Sequence, residues 1–171
     1  AFGVEPTQYR CAAEALLRRL TKQGSIPSIN TLVDIGNLVS IRFGLPVAVF
    51  DQREVSGGTT VRFAHGLERF TDLGTSTIEH PEPGEVVFVD EAGLVSARRW
   101  CWRQSAESAA GMSTRAILVT VEGHHEAARA DVAGALAELR ALVGEYAAPA
   151  LTSWQVVDAE RPSFVTEVGG S

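Results

Sequence analysis

The sequence has few cysteines, and the two it contains are not closely spaced. Cys11 and Cys101 lie far apart in a chain of 171 residues, and no C-x-x-C spacing occurs. Disulfide-built domains carry many more cysteines in a short chain. The sequence therefore predicts two free thiols and a cytoplasmic protein rather than a disulfide framework.

Long apolar runs and an excess of positive charge are also absent. No apolar run approaches the ~20 residues that a membrane span needs, although 45% of the residues are hydrophobic and can form a core. The net charge of −6 argues against a broad basic surface for nucleic acid. It allows a protein that holds only an RNA end through a local basic patch, and we expect no membrane partner.

Familiar catalytic signatures are missing as well. The chain has no phosphate-binding loop, no dinucleotide fingerprint and no G-x-S-x-G motif. The stretch "EGHHE" at 122–126 has two adjacent histidines, which would point about 100° apart on a helix and have no third ligand at a suitable spacing. We interpret it as the solvated start of a helix, and we expect neither a metal nor a cofactor.

Hydrophobic periodicity predicts a mixed α/β domain with mainly antiparallel strands. The order is helix, helix, several strands, helix, strand, which does not match a βαβ repeat. We expect one domain over residues 1–171. Because the chain begins with Ala rather than Met, we also expect it to be a fragment from which an N-terminal extension of the protein is missing. Helices are predicted at 7–24, 27–44 and 124–146, strands at 46–51, 59–64, 85–90, 115–123 and 152–158, and a hairpin at 86–102.

The second predicted helix carries a line of short polar side chains. Asn30, Asp34 and Asn37 stand at i, i+4 and i+7 and therefore share one face. One explanation is structural, with Asn30 or Ser28 capping the helix, Asp34 accepting from nearby backbone and Asn37 satisfying a strand edge. The other is that the line faces a binding cavity.

The segment "ARRWCWRQS" at 97–105 concentrates arginine and tryptophan. Taken as one strand, it would send Arg98, Trp100, Trp102 and Gln104 to one face and its other side chains to the opposite face. Guanidinium groups suit phosphates and indole rings suit a base or ribose, so the segment could hold a nucleotide end. Equally, tryptophans could cover a sheet face, with arginines stacked on them.

Together, several stretches resemble one known family. These are "INTLVDIGNLVSIRFGLPVAVFD", "TVRFA", "GEVVFVDEAG", "RRWCWRQ" and "TRAILVTVEG". They are similar to the editing domain, called B-three/B-four, of the bacterial phenylalanyl-tRNA synthetase β subunit. The similarity is closer still to free-standing proteins made of this domain alone, and it covers roughly residues 1–160.

The resemblance implies a three-layer α/β fold with a mainly antiparallel, β-sandwich-like core flanked by helices. In the synthetase, this domain hydrolyses tyrosine wrongly esterified to the phenylalanine tRNA, in a pocket between the asparagine-bearing helix and the strand region that matches 98–104. The candidates to orient water and substrate are Asn37, Gln104 and Ser105. The candidates to bind substrate are Asn30, Asp34, Trp100, Trp102, Arg98, Arg99 and Arg103. Among these, the three arginines would bind the terminal phosphates of the tRNA.

Two departures separate this chain from the synthetase pattern. Ala48 stands where the synthetase has a histidine, and no glutamate occurs at 103–105, where its specificity glutamate lies. The next glutamate is Glu107. Recognition of tyrosine is therefore not implied, and the amino acid stays open.

The expected function is that of an aminoacyl-tRNA deacylase that acts on mischarged tRNA in trans. An aminoacyl ester is already activated, so a pocket that orients water and stabilises the oxyanion suffices. The resemblance suggests that the terminal ribose hydroxyl of the tRNA helps to position that water. The alternative is a module that binds aminoacyl-tRNA or tRNA without hydrolysis, for example in a biosynthetic pathway. A small-molecule binding protein is a third interpretation.

Overall fold

The computed structural model describes residues 11–166. Within that range, three helices and eight strands follow one another in the order helix, helix, eight strands, helix. The elements are α1 (Ala12–Gln23), α2 (Thr31–Phe43), β1 (Val47–Asp51), β2 (Thr60–Phe63), β3 (Phe70–Thr71), β4 (Ile78–Glu79), β5 (Val86–Val89), β6 (Val95–Arg98), β7 (Arg103–Gln104), β8 (Ile117–Val121) and α3 (Ala128–Tyr146).

The two-stranded antiparallel sheet β1–β8 is the central layer. Val47 pairs with Val121 and Asp51 with Ile117, so the ends of the two strands are aligned. Because side chains alternate along a strand, one face of this ribbon presents valines and the other presents Ala48, Phe50 and Leu118. Each face is covered by a different layer.

Helices α2 and α3 cover the valine face. Their contact forms a core of buried residues from both helices and the turn before β1, namely Ile35, Val39, Leu45, Ala135 and Leu139. Gly36 explains how α2 lies so close to the sheet, because a Cβ atom at this position would be 3.1 Å from Val49 Cγ2. The glycine that weakens the helix in isolation therefore allows close packing.

A four-stranded antiparallel sheet in the order β2-β5-β6-β7 covers the opposite face. Phe50 of the central ribbon packs on Phe88 with ring centroids 5.7 Å apart, and Ala97 completes this contact. The predicted hairpin is confirmed as β5–β6, with a register shift between Phe88 and Val89. The prediction of a mixed α/β fold with antiparallel sheets is likewise confirmed, with helices, ribbon and sheet as three layers.

The prediction of one continuous strand over 97–105 is wrong. β6 ends at Arg98, and the next two residues have left-handed backbone angles, with φ of 47° at Arg99 and 66° at Trp100. The chain then returns as the short strand β7, which pairs with β6. A strand-based assignment of side chains to two faces therefore does not apply beyond Arg98.

Two other element predictions need correction. The predicted strand at 152–158 is not formed, because no strand among the described residues pairs with this segment. The segment contacts α3 instead, where the Arg140 guanidinium stacks 4.0 Å from the Trp154 ring centre. Helix α3 begins at Ala128 rather than at residue 124. The first helix begins at Ala12, and residues 7–10 of its predicted span lie outside the described residues.

The described residues contain three helices, and none of them combines the length and apolar character that crossing a lipid bilayer requires.

Candidate functional site

A small cavity of about 90 Å³ lies where the end of the central ribbon meets the turn between β6 and β7. Alanines at 12, 48 and 97 leave the space open, because larger side chains at these positions would fill it. The lining residues are Ala12, Pro46, Val47, Ala48, Phe50, Ala97, Trp100, Cys101, Trp102, Arg103, Gln104 and Glu122.

The turn that closes this cavity has a strained backbone. Two successive residues other than glycine, Arg99 and Trp100, occupy the left-handed region, which costs roughly 1–2 kcal/mol for each. The Trp100 N–H donates to the Val86 carbonyl at 3.0 Å, and the Cys101 carbonyl accepts from the Ala12 N–H at 3.2 Å. These bonds hold the turn so that residues 100–104 line the cavity.

A buried ion pair between Arg98 and Glu85 holds the start of the same turn in place. The side chain of Arg98 is only 9% exposed, and its Nε and Nη2 atoms donate to the two oxygens of Glu85 at 3.0 and 2.7 Å. Its Nη1 atom donates to Glu79 at 2.7 Å. Arg99 adds a second guanidinium at 2.8 Å from the Glu85 carboxylate. All three nitrogen atoms of the Arg98 guanidinium thus donate to carboxylates of the protein, which favours a structural role for this arginine over phosphate binding.

Arg103 is the arginine of this segment that combines exposure with a place at the cavity. Its side chain is 43% exposed, it pairs with Asp72, and its guanidinium lies 4.4 Å from the centre of the Trp102 ring. Arg99 also faces this ring at 5.9 Å, although its side chain is only 16% exposed. The rim of the cavity therefore contains an indole ring and a partly exposed guanidinium group.

The cavity contains a carboxylate that the sequence analysis did not identify. Glu122 follows β8, its N–H donates to the Pro46 carbonyl at 3.1 Å, and its side chain is 13% exposed. Its Oε2 atom lies 3.7 Å from His124 Nε2 and accepts no hydrogen bond of normal geometry from any residue between 11 and 166. Burial raises the pKa of Glu122 to about 7, and the Trp100 indole N–H acts in the opposite direction.

A signal for Glu122 was available in the sequence. Alternation along β8 places Leu118, Thr120 and Glu122 on one face, and Leu118 packs against the four-stranded sheet. An acidic residue that continues the inward face of a strand is unusual, because burying a carboxylate is costly. Its neighbour in the cavity is Ala48, at the position where the synthetase pattern has a histidine.

The predicted orienting residues Gln104 and Ser105 are mostly engaged within the protein. Gln104 lines the cavity, but its side-chain amide donates to the carbonyls of Val49 and Ser108, both at 2.8 Å. Ser105 is fully buried, and its hydroxyl donates to Ser108 Oγ at 3.0 Å. Gln104 therefore joins the four-stranded sheet to the ribbon, and Ser105 stabilises the following turn.

The polar line on α2 has a mainly structural explanation. Asn30 is the N-cap, accepting from the Val33 N–H at 3.0 Å, and its amide donates to the Ala110 carbonyl. Asp34 accepts from the Ile29 N–H at 2.9 Å and from the hydroxyl of Ser28, so Ser28 supports the helix start without being the cap. Asn37 is partly exposed and is not among the residues that line the cavity. The structure does not bring these three residues to the cavity.

The histidine pair does not create a metal site in the structure. Over residues 11–166, no three His, Cys, Asp or Glu side chains are grouped closely enough to hold a metal ion. His124 packs edge-on against Trp100, with ring centres 4.6 Å apart. Burial lowers the pKa of His124, so a neutral ring is favoured beside the indole.

Replacing Arg98 tests the structural role of the buried ion pair. Arg98→Met leaves the Glu85 carboxylate without its bidentate partner, and we expect a loss of about 3–5 kcal/mol in the free energy of unfolding. Arg103→Met is the matched control, and its partly exposed ion pair should contribute less than about 1 kcal/mol. Urea unfolding measures both variants. Equal stability of the two would contradict the anchoring role of Arg98.

The carboxyl of Glu122 should make stability depend on pH. The pKa of this carboxyl is about 7 in the folded protein and 4.5 for an ordinary glutamate. As the pH rises, the unfolded chain therefore releases this proton at a lower pH than the folded protein does. The folded state therefore loses relative stability between pH 4.5 and 7, by roughly 2–3 kcal/mol. Glu122→Gln removes this loss, so the difference in unfolding free energy between variant and wild type should grow over that range and then level. A difference independent of pH would contradict the assignment.

Comparison with known proteins identifies a family and several similar proteins. Residues 1–138 match the family described as the B3/4 domain. The β subunit of phenylalanine–tRNA ligase from Neisseria gonorrhoeae is 32% identical over 93 residues, which is 54% of this chain and 12% of that protein. The corresponding subunit from Bradyrhizobium diazoefficiens is 40% identical over 83 residues, or 48% of this chain and 10% of that protein.

The fold also has a match among solved structures. An N-terminal fragment of the phenylalanyl-tRNA synthetase β subunit from Pyrococcus horikoshii superposes with a TM-score of 0.55 at 14% identity, covering 68% of this chain and 40% of that one. At this identity the match concerns the fold alone. The alignments with the ligase subunits span only about a tenth of those proteins. The family match covers most of the chain, and the chain therefore belongs to the B3/4 domain family.

Proposed function

We propose that this protein hydrolyses the ester bond of mischarged aminoacyl-tRNA in trans. The observation that carries the proposal is the buried Glu122 carboxylate in a cavity whose rim combines Trp102 and Arg103. Membership of the B3/4 domain family and the partial similarity to phenylalanine–tRNA ligase β subunits support it. The cavity would receive the aminoacyl group, and the rim would hold the acceptor end.

In this proposal, Glu122 acts as the general base. A carboxylate with a pKa of about 7 is half ionised near neutral pH and is a stronger base than an ordinary glutamate. Glu122 would take a proton from a water molecule, whose oxygen attacks the ester carbonyl. The tetrahedral intermediate would then break its bond to the ribose oxygen, which receives the proton from Glu122. The neighbouring ribose hydroxyl would help to position the water. No protein nucleophile is needed, because the ester is already activated.

The acceptor end would be held at the rim of the cavity. The Trp102 indole offers a surface for a base or ribose, and the Arg103 guanidinium offers a charge-assisted bond to a terminal phosphate. Arg103 would exchange its bond to Asp72 for one to the phosphate. Arg98 takes no part in this contact, because Glu85 and Glu79 bind its guanidinium inside the protein.

The size of the cavity favours a small amino acid. Its volume of about 90 Å³ is well below the ~150 Å³ of a cavity that accepts benzene. A phenyl or phenol group would not fit without movement of the turn at 99–102. We therefore expect glycine, alanine or serine to be preferred over phenylalanine or tyrosine as the esterified residue.

One observation favours the competing function, a module that binds aminoacyl-tRNA without hydrolysing it. The amide hydrogens of Gln104 already donate to two carbonyls, and the Ser105 hydroxyl is buried, so neither is ready to stabilise an oxyanion. Such a module would bind charged tRNA and leave the ester intact.

A deacylation screen separates the two functions. We expect release of amino acid from at least one tRNA mischarged with a small residue, without ATP or added metal and unchanged by a chelator. After subtraction of spontaneous hydrolysis, the rate should rise with pH and level above about pH 7, where Glu122 is ionised. Glu122→Gln should lower the rate roughly a hundredfold at unchanged tRNA affinity. Binding of charged tRNA with no turnover over the whole panel would favour the non-catalytic module.

Arg103 provides a test of the proposed RNA contact. Arg103→Gln should weaken tRNA binding several-fold and reduce the slope of log affinity against log salt by about 0.7–0.9, as for one lost phosphate contact. The control is Arg129→Gln, which removes an exposed guanidinium from α3, in the layer on the other side of the ribbon. Filter binding at several salt concentrations measures both variants. An equal effect of the two substitutions would point to a general charge effect and not to a contact at Arg103.

A further inference from the structure

The fold brings the two cysteines of the described chain together beside the cavity, which Cys101 and Ala12, the neighbour of Cys11, both line. Cys11 is the N-cap of α1, Cys101 lies in the turn between β6 and β7, and both are free thiols of intermediate exposure. The Ala12 N–H donates to the Cys101 carbonyl at 3.2 Å, so the two backbones are adjacent. The two side chains are close enough for the Cys101 thiol to influence the pKa of the Cys11 thiol. The large sequence separation gave no indication of this pairing.

The environments of the two thiols differ in a way that assigns each a role. The Cys11 sulfur accepts from the Glu14 N–H at the start of α1, where backbone N–H groups favour negative charge. The nearby Cys101 thiol lowers the pKa of Cys11 to about 6, although burial and the charge of Glu14 oppose this. The Cys11 side chain, together with burial and the charge of Glu122, raises the pKa of Cys101. These influences favour the thiolate form at Cys11 and the protonated thiol at Cys101.

We propose that Cys11 and Cys101 form a redox-active dithiol that hydrogen peroxide converts to an intramolecular disulfide. The Cys11 thiolate attacks one peroxide oxygen, the O–O bond breaks, and the products are a Cys11 sulfenic acid and hydroxide, which takes up a proton. The Cys101 sulfur then attacks the Cys11 sulfur while its proton passes to the departing oxygen, so that the S–S bond forms and water leaves. Overall, two thiols lose two electrons and two protons, and peroxide is reduced to two waters.

The cross-link would tie the start of α1 to the turn that closes the cavity. Cys101 and Ala12 line the cavity, and Trp100 and Trp102 flank Cys101 on the same turn. A disulfide restrains this turn covalently, at a site separate from the Arg98–Glu85 ion pair. This inference does not depend on the proposed hydrolysis, since it concerns the thiols alone.

Oxidation of the reduced wild-type protein tests the proposal. After treatment with equimolar hydrogen peroxide, thiol titration in denaturant should find both free thiols lost. The intact mass should fall by two hydrogens, and peptide mapping should find residues 11 and 101 linked within one chain. Dithiothreitol should restore both thiols. Persistence of both thiols, a link between two chains, or sulfinic acid without a link would overturn the proposal.

Single variants test the assigned roles. With Cys101→Ser, we expect Cys11 to form a sulfenic acid that dimedone traps. With Cys11→Ser, we expect Cys101 to react at least about tenfold more slowly, because burial and the charge of Glu122 still favour its protonated thiol. Equal trapping rates in the two variants would overturn the assignment of Cys11 as the attacking thiolate. Should a variant fail to fold, competition in the wild type decides the same point: brief peroxide treatment with dimedone present should label Cys11 before Cys101, and preferential labelling of Cys101 would overturn it.

Discussion

The carboxylate of Glu85 is the constraint on which the candidate site depends. It binds the guanidinium groups of Arg98 and Arg99 on either side of the point where the chain leaves β6 and enters the left-handed region. Two positive φ values at Arg99 and Trp100 are unfavourable by themselves and persist because these bonds hold them. Without this turn, β6 would continue outward, and the tryptophans and Cys101 would not meet the central ribbon. The ion pair thus shapes the cavity without entering it.

The central ribbon explains why a cavity exists at this place. Helices cover one face of β1 and β8, and a second sheet covers the other face. The side chains between two layers either fill the space there or, where they are small, leave a cavity. Valines and Gly36 give dense packing on the helix side, whereas alanines at 12, 48 and 97 leave a space on the sheet side. Into this space projects Glu122, a carboxylate that burial keeps partly protonated near neutral pH. A carboxyl so placed destabilises the folded state when it is ionised.

Under the proposed function, the general base lies after β8, whereas the histidine of the synthetase pattern corresponds to a position on β1. That pattern has a histidine at the position of Ala48 on β1, whereas here Glu122, beyond the end of β8, shares the cavity with Ala48. Ala48 pairs with Thr120, and Glu122 lies two residues further along the chain and bonds to the Pro46 carbonyl, so the two positions are diagonal neighbours on the ribbon. The adjacent dithiol adds a redox-sensitive feature to the same wall of the cavity.

The sequence alone determined the three helices, most of the strands, the turn of the hairpin predicted at 86–102 and the family resemblance, because periodicity, turn residues and local motifs are properties of neighbouring residues. It also indicated that Asn30 and Asp34 could stabilise the start of α2, since capping is a local interaction. Only the tertiary structure decided that Arg98 is buried against Glu85, that Glu122 projects into the cavity, and that Cys11 meets Cys101. These three outcomes depend on contacts between distant segments and on two strained backbone angles at Arg99 and Trp100. Long-range contacts and strained angles produce no periodic pattern of hydrophobic residues, so the sequence alone does not indicate them.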